Sequence, residues 1–187
     1  MLKLNLSLFV IVSVSFIAAY TMVAGFIQPL QKILLPGITA EMFSMMFLPH
    51  GIRVLSIWLL GWRGALYLIP SAYLMWAISV FGIGIDLDVW SPLVSIAAVY
   101  AGVFLVRYIA GLPPQENSLH VSWRQCLLAG LVASLFNGLA LSILIAGDID
   151  WYLTAGYSFG DILGQIVMML LLILIMRVSR TANSLSQ

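Results

Sequence analysis

The sequence predicts an all-α integral membrane protein: a polytopic bundle of six transmembrane helices with the N and C termini in the cytoplasm. Three observations carry that expectation. Of the 187 residues 63% are hydrophobic and only 8% charged, the apolar residues fall into long runs separated by turn-forming residues, and cations alternate with acids from loop to loop. A soluble domain carries about 25% charged residues, and a mean hydropathy of +1.10 leaves no material for a water-facing surface. An apolar run of about 20 residues crosses a hydrocarbon core of about 30 Å. The expected solvent is therefore lipid, and the expected location a cell membrane of the bacterial inner-membrane kind, crossed several times.

The first run follows Lys3 and extends from Leu4 to Ile27. It is too long for the core of a cleaved signal, which spans about 7 to 15 residues, and Ile17-Ala18-Ala19 is a poor cleavage site. A retained helix from Leu6 to Ile27 is expected, stopped by Gln28-Pro29. The second span is expected from Glu41 to Leu60, kinked or broken at Pro49-His50-Gly51, where proline removes a donor and clashes with the preceding turn. The third is expected from Ala65 to Phe81 after Gly61-Trp62-Arg63-Gly64, and the fourth from Val89 to Ile109 between Asp86–Asp88 and Gly111-Leu112-Pro113-Pro114. Gln125 to Ala146 and Tyr157 to Met176 complete the set, separated by Gly147-Asp148-Ile149-Asp150. No connection is long enough to fold separately, so residues 1–187 read as a single transmembrane domain.

Lysine and arginine are retained on the cytoplasmic side of a membrane. With the N-terminus inside, that side holds Lys3, Arg63, Arg107, Arg124, Arg177 and Arg180, and the outer loops hold Lys32 alone with Asp86, Asp88, Asp148 and Asp150. Trp62, Trp90, Trp123 and Trp151 fall at helix ends, where an indole anchors in the headgroup layer. A net charge of +1 without a basic tract argues against a nucleic-acid partner. The lone Cys126 reads as an apolar packing residue.

Two small-residue ridges are visible. Gly156, Gly160 and Gly164 lie on the sixth helix, and Gly130, Ser134, Gly138 and Ser142 on the fifth. Helix association in lipid depends on close van der Waals contact, so these ridges are expected to bring the fifth and sixth helices together in their outer halves.

A charged group inside a lipid-crossing helix costs about 2.5 to 3.5 kcal/mol on insertion scales and faces a partner or a cavity. The candidates are His50 and Arg53 on the second helix, Asn137 on the fifth, and Asp161 with Gln165 on the sixth, with Glu41 at the outer mouth. Helical rise puts His50 and Arg53 about 14 and 18 Å below Glu41. Three readings stay open: an Arg53–Asp161 ion pair that locks two helices, an outward-opening cavity for a small polar or anionic ligand, and a proton or ion relay through His50 and Asp161. An enzyme is not expected. His50 and His120 fall in different membrane layers, which speaks against a metal site, no serine stands in a nucleophile-elbow motif, and no cofactor is expected.

Phe47-Leu-Pro-His-Gly-Ile-Arg-Val-Leu-Ser-Ile-Trp-Leu-Leu-Gly-Trp-Arg-Gly-Ala-Leu-Tyr-Leu-Ile-Pro-Ser-Ala-Tyr-Leu74 resembles the membrane-associated sensor (MASE-type) domains of bacterial signalling proteins, with a Pro-x-Gly turn opening an apolar helix and a Leu-Leu-Gly-aromatic-Arg turn before the next. Phe159-Gly-Asp-Ile-Leu-Gly-Gln165 resembles their late Gly-Asp-x-Leu-Gly element. The resemblance places Pro49, Gly51, Gly61, Arg63, Gly160, Asp161 and Gly164 in the shared framework and implies a sensory module for a small ligand from the outer face. Such domains have about eight spans and feed a cytoplasmic output domain, whereas this chain ends in a short polar tail after Arg180, so the expected output is a separate signalling partner. In size, six spans, inside termini and a long first outer loop, Gln28 to Ala40, the chain is also similar to the substrate-binding components of energy-coupling-factor vitamin transporters. That likeness implies a transport subunit with a membrane coupling partner.

Overall fold

The structure, a computed structural model, describes residues 5–35, 44–112 and 122–185. Every regular element among them is helical: α1 Leu6–Leu34, α2 Leu48–Leu60, α3 Trp62–Ile83, α4 Ser91–Ile109, α5 Trp123–Ala146 and α6 Trp151–Leu185. Five of the helices are long and apolar enough to cross a membrane, and α2 is the exception with 13 residues. Large apolar side chains point outward all round the bundle, Ile33 at 76% and Leu170 at 60% exposure among them. A water-solvated bundle would carry charge there.

The expected boundaries need correction at several helices. α1 does not stop at Gln28-Pro29. Its turn Val23–Ile27 widens to π geometry, with Gln28 N–H donating to Val23 O, and the helix continues through Pro29 to Leu34. In an α-turn the Pro29 ring would press on the carbonyl of residue 25 and leave it without a donor, and the wider turn relieves both problems. The expected outer loop Gln28 to Ala40 is thus helical as far as Leu34; residues 36–40 lie outside the described residues. α3 likewise closes in a π-turn, Ile78–Ile83, which stops at left-handed Gly84. α5 starts at Trp123. α6 starts at Trp151 rather than Tyr157, because Asp150 Oδ1 caps it by accepting from Tyr152 N and Leu153 N at 2.8 and 3.2 Å.

The break in the second span lies before Pro49. α2 begins at Leu48, so Pro49 sits in the first turn, where no intrahelical donor is lost. Residues 44–47 are not helical, and several of their backbone groups are satisfied by protein, as membrane depth demands. Met45 N–H donates to Gln31 Oε1 at 2.9 Å and Phe47 N–H to Gly160 O at 2.9 Å. The glycine ridge of α6 serves this segment. A Cβ on Gly160 would strike Ser44 O, and one on Gly164 would strike Phe47 O. The expectation that Gly160 and Gly164 face the fifth helix is therefore wrong in its partner. Gly130 and Gly138 of α5 do face α6, the first covered by Gln165 and the second by Ser158 and Thr154. Gly156 is half-buried.

Successive helices run antiparallel. Asn5 N–H donates to Tyr67 Oη at 3.0 Å, Arg107 Nη1 to Trp58 O at 3.1 Å and Gln165 Nε2 to Cys126 O at 3.0 Å, which gathers the Arg63, Arg107 and Arg124 ends of the helices. Lys32 and the acidic loops lie at the other end, where Gln31 meets Met45 and Ser142 Oγ accepts from Asp150 N–H at 2.7 Å. Between these ends Val54, Leu68, Val99, Ala133 and Cys126 are sealed in one apolar core. Cys126 packs there as expected. The tightest crossing of α4 on α5 is at Gly102, whose absent Cβ would lie 2.5 Å from the Ala133 Cα.

Gly160→Ala should lower stability by about 1 to 3 kcal/mol and Gly160→Leu by more, because each forces Ser44 and Phe47 off α6. Leu171→Ala, on an outward-facing position, should cost under about 1 kcal/mol. Thermal unfolding in detergent compares the three; equal midpoints would show that the 44–47 segment is not seated on Gly160.

Candidate functional site

The buried polar side chains meet where α2, α4, α5 and α6 converge. Arg53 Nη1 donates to Ser95 Oγ at 2.5 Å, Ser95 Oγ donates to Asn137 Oδ1 at 2.6 Å, and Asn137 Nδ2 donates to Asp161 Oδ2 at 2.6 Å. The order of donors fixes the amide orientation of Asn137: turned over, its oxygen would face the carboxylate. His50 completes the cluster, with Nδ1 3.1 Å from Asp161 Oδ2 and Nε2 3.1 Å from Ser134 Oγ. Asp161, Asn137 and His50 are each at most 2% exposed.

Arg53 and Asp161 are thus joined through Ser95 and Asn137, and the group in direct ion-pairing contact with Asp161 is His50. Of the three readings left open by the sequence, the direct Arg53–Asp161 pair is replaced by this relayed connection, and the two groups named for a relay, His50 and Asp161, are the ones in contact. Gln165 stands apart: it donates to the Cys126 carbonyl and covers Gly130, a packing role. Glu41 lies outside the described residues. Ser95 has no sequence signal, since a serine in an apolar helix is commonplace and only the crossing of α4 with α2 and α5 gives it two partners.

Ser134 Oγ lies within hydrogen-bond distance of both Gly130 O, at 2.7 Å, and His50 Nε2, while His50 Nδ1 faces Asp161 Oδ2 at 3.1 Å.

Ser134, His50 and Asp161 stand in the order of a hydrolase triad, an arrangement that no nucleophile-elbow motif signals in the sequence. The resemblance stops at connectivity. Ser134 Oγ is shared between its own helix and the imidazole, and Ser134 and His50 are 0% exposed. A nucleophile has to reach a substrate carbonyl.

Beside the cluster is a cavity enclosing about 140 Å³ of water-accessible space. Arg53, Ser95, Asn137 and Asp161 stand together on its wall, with Phe16, Tyr20, Phe47, Trp76, Leu141 and Tyr157 among the other lining residues. Its rim, with Gln28, Ile85, Leu87 and Ile145, lies at the end of the bundle opposite Arg63, Arg107 and Arg124. Ser44 and Phe47 from the non-helical run belong to the wall, as expected of a broken helix at this depth. The Arg53 guanidinium is held between two rings, 5.4 Å from the Phe16 centroid and 5.3 Å from that of Phe47. Arg53 is 6% exposed, and its Nε donor has no acceptor. Among the described residues no cluster of three metal-ligating side chains occurs. Neither a protein-family profile, nor a curated protein sequence, nor a solved structure matches the chain.

Double-mutant cycles should separate the two connections. His50 and Asp161 should couple by about 1 to 3 kcal/mol whatever stands at position 137. Arg53 and Asp161 should couple in the wild-type background and lose most of that coupling with Asn137→Ala. Arg53–Asp161 coupling that survives Asn137→Ala would restore the direct pair. An alkyl fluorophosphonate should leave Ser134 unlabelled, and labelling there would make the triad a working one.

Proposed function

We propose that this protein is a six-span sensory membrane module, with both termini in the cytoplasm, that takes a small ligand from the outer face and reports its presence to a partner protein. The observation that carries the reading is the cavity with Arg53, Ser95, Asn137 and Asp161 on its wall, at the end of the bundle away from the arginines. Retention of arginine in the cytoplasm turns that end outward. α2 counts as the sixth span once residues 44–47 are added to its 13 helical residues, which alone rise about 20 Å.

The output route is α6. Asp161 stands on the cavity wall, and the same helix runs unbroken to Leu185, 35 residues in all. At about 52 Å it exceeds a hydrocarbon core of about 30 Å and carries its last turns to the arginine side. A small axial shift or rotation of α6 on ligand binding is then presented to a cytoplasmic or membrane-embedded signalling partner. The likeness to membrane-associated sensor domains accords with this arrangement. The chain acts by binding and needs no nucleic acid, metal or reaction.

Reporter fusions after Arg63, after Gly111 and at the C-terminus should report cytoplasm, and fusions near Lys32, Asp86 and Asp148 should report the outside. An extracytoplasmic C-terminus would end the six-span arrangement. Affinity purification from mild detergent should bring down a kinase or cyclase; recovery of a membrane coupling protein with ATPases instead would make the chain a transport subunit.

A further inference from the structure

We propose that the cavity takes a small monocarboxylate with an apolar body, its carboxylate seated on Arg53. The inference rests on the proposal that the cavity is a ligand site and adds the chemical class of the ligand. Its basis is the set of contacts around Arg53. Asp161 Oδ2 accepts from Asn137 Nδ2 and lies beside His50 Nδ1, and Arg53 reaches it only through Ser95 and Asn137. The polar contact of Arg53 is the neutral Ser95 hydroxyl, its Nε has no acceptor, and its flanks are the faces of Phe16 and Phe47. Aromatic faces attract a cation, but they do not replace the acceptors that a desolvated guanidinium has left in water.

An anion entering the cavity offers acceptors to the part of the guanidinium that lines it. A guanidinium presents a planar fork of donors that matches the two oxygens of a carboxylate. A single negative charge balances Arg53, whereas a phosphate dianion would exceed it and bring a second charge toward Asp161 on the same wall. Beyond this polar corner the wall is largely apolar and aromatic, with Trp76, Leu141, Ile145 and Tyr157 beside the hydroxyls of Ser44 and Ser91, and burial of a hydrocarbon or aryl body there adds to the affinity.

Binding is measured on the full chain in nanodiscs, by thermal shift and calorimetry, with the linear monocarboxylates from acetate to octanoate, benzoate and phenylacetate. The primary amide of each acid and inorganic phosphate serve as comparisons. At least one carboxylate should bind about tenfold or more tightly than its own amide, since the amide offers one acceptor where the carboxylate offers two and a charge. Affinity should rise with the apolar body. The acid-over-amide preference should vanish in Arg53→Met and persist, reduced, in Arg53→Lys. The wild-type comparison needs no variant, so misfolding of Arg53→Met cannot obscure the result. Equal binding of acid and amide, or binding of phosphate with every carboxylate silent, would overturn the assignment. If the carboxylates are silent while mass spectrometry of the purified protein finds a neutral or cationic ligand, the ligand class falls and the site stands. If nothing binds and nothing co-purifies, the site itself falls.

Discussion

A carboxyl group at membrane depth must find donors within the protein, and Asp161 is the point on which this architecture turns. Lipid offers it nothing. Asn137 from α5 donates to it and His50 from α2 lies against it, and those two are in turn in contact with Ser95 of α4 and Ser134 of α5. Four helices are therefore tied at one level. In water such ties add little, because solvent competes for every group; in an apolar surround, removing one member strands its neighbours, and the network behaves as a unit.

The backbone arrangement follows from what that level requires. For His50 to reach Asp161, α2 has to lie close on α6, and it does so where side chains are small. The missing Cβ of Gly51 leaves room for Met168, and Gly160 and Gly164 admit the carbonyls of Ser44 and Phe47. The non-helical run that results would be prohibitive in lipid. Its donors are taken up by Gln31 and by the carbonyl of Gly160, so the irregular backbone becomes cavity wall instead of a defect.

Much of this was legible in the residues. Span positions follow from apolar length, and Gly61, Gly111 and Gly147 adopt the positive φ of the chain reversals expected there. His50, Arg53, Asn137 and Asp161 announce themselves by the cost of placing them in lipid. Periodicity tells which residues share a helix face but not which helix that face meets. That is why the glycines of α6 were matched to α5 when their partner is the run before α2, and why Arg53 was matched to Asp161 over the neutral Ser95 and Asn137. Phe16, Tyr20, Trp76 and Tyr157 were invisible for the same reason: an aromatic facing a cavity and one facing lipid look alike in a sequence.

The widened turn at Val23–Ile27 bears on how such a bundle can change. A π-turn holds one residue more than the α-turn it replaces, so everything beyond it is rotated by about 100° relative to an uninterrupted helix. Below the turn, Phe16 and Tyr20 line the cavity; beyond it, Gln28 lies at the rim and Gln31 is turned inward to accept from Met45. An extra residue in this turn thus sets the aim of the outer end of α1 independently of the register of its inner part. The rim and the inner wall are in this sense shaped by different stretches of one helix, and the rim can change its residues without disturbing the ties at Asp161.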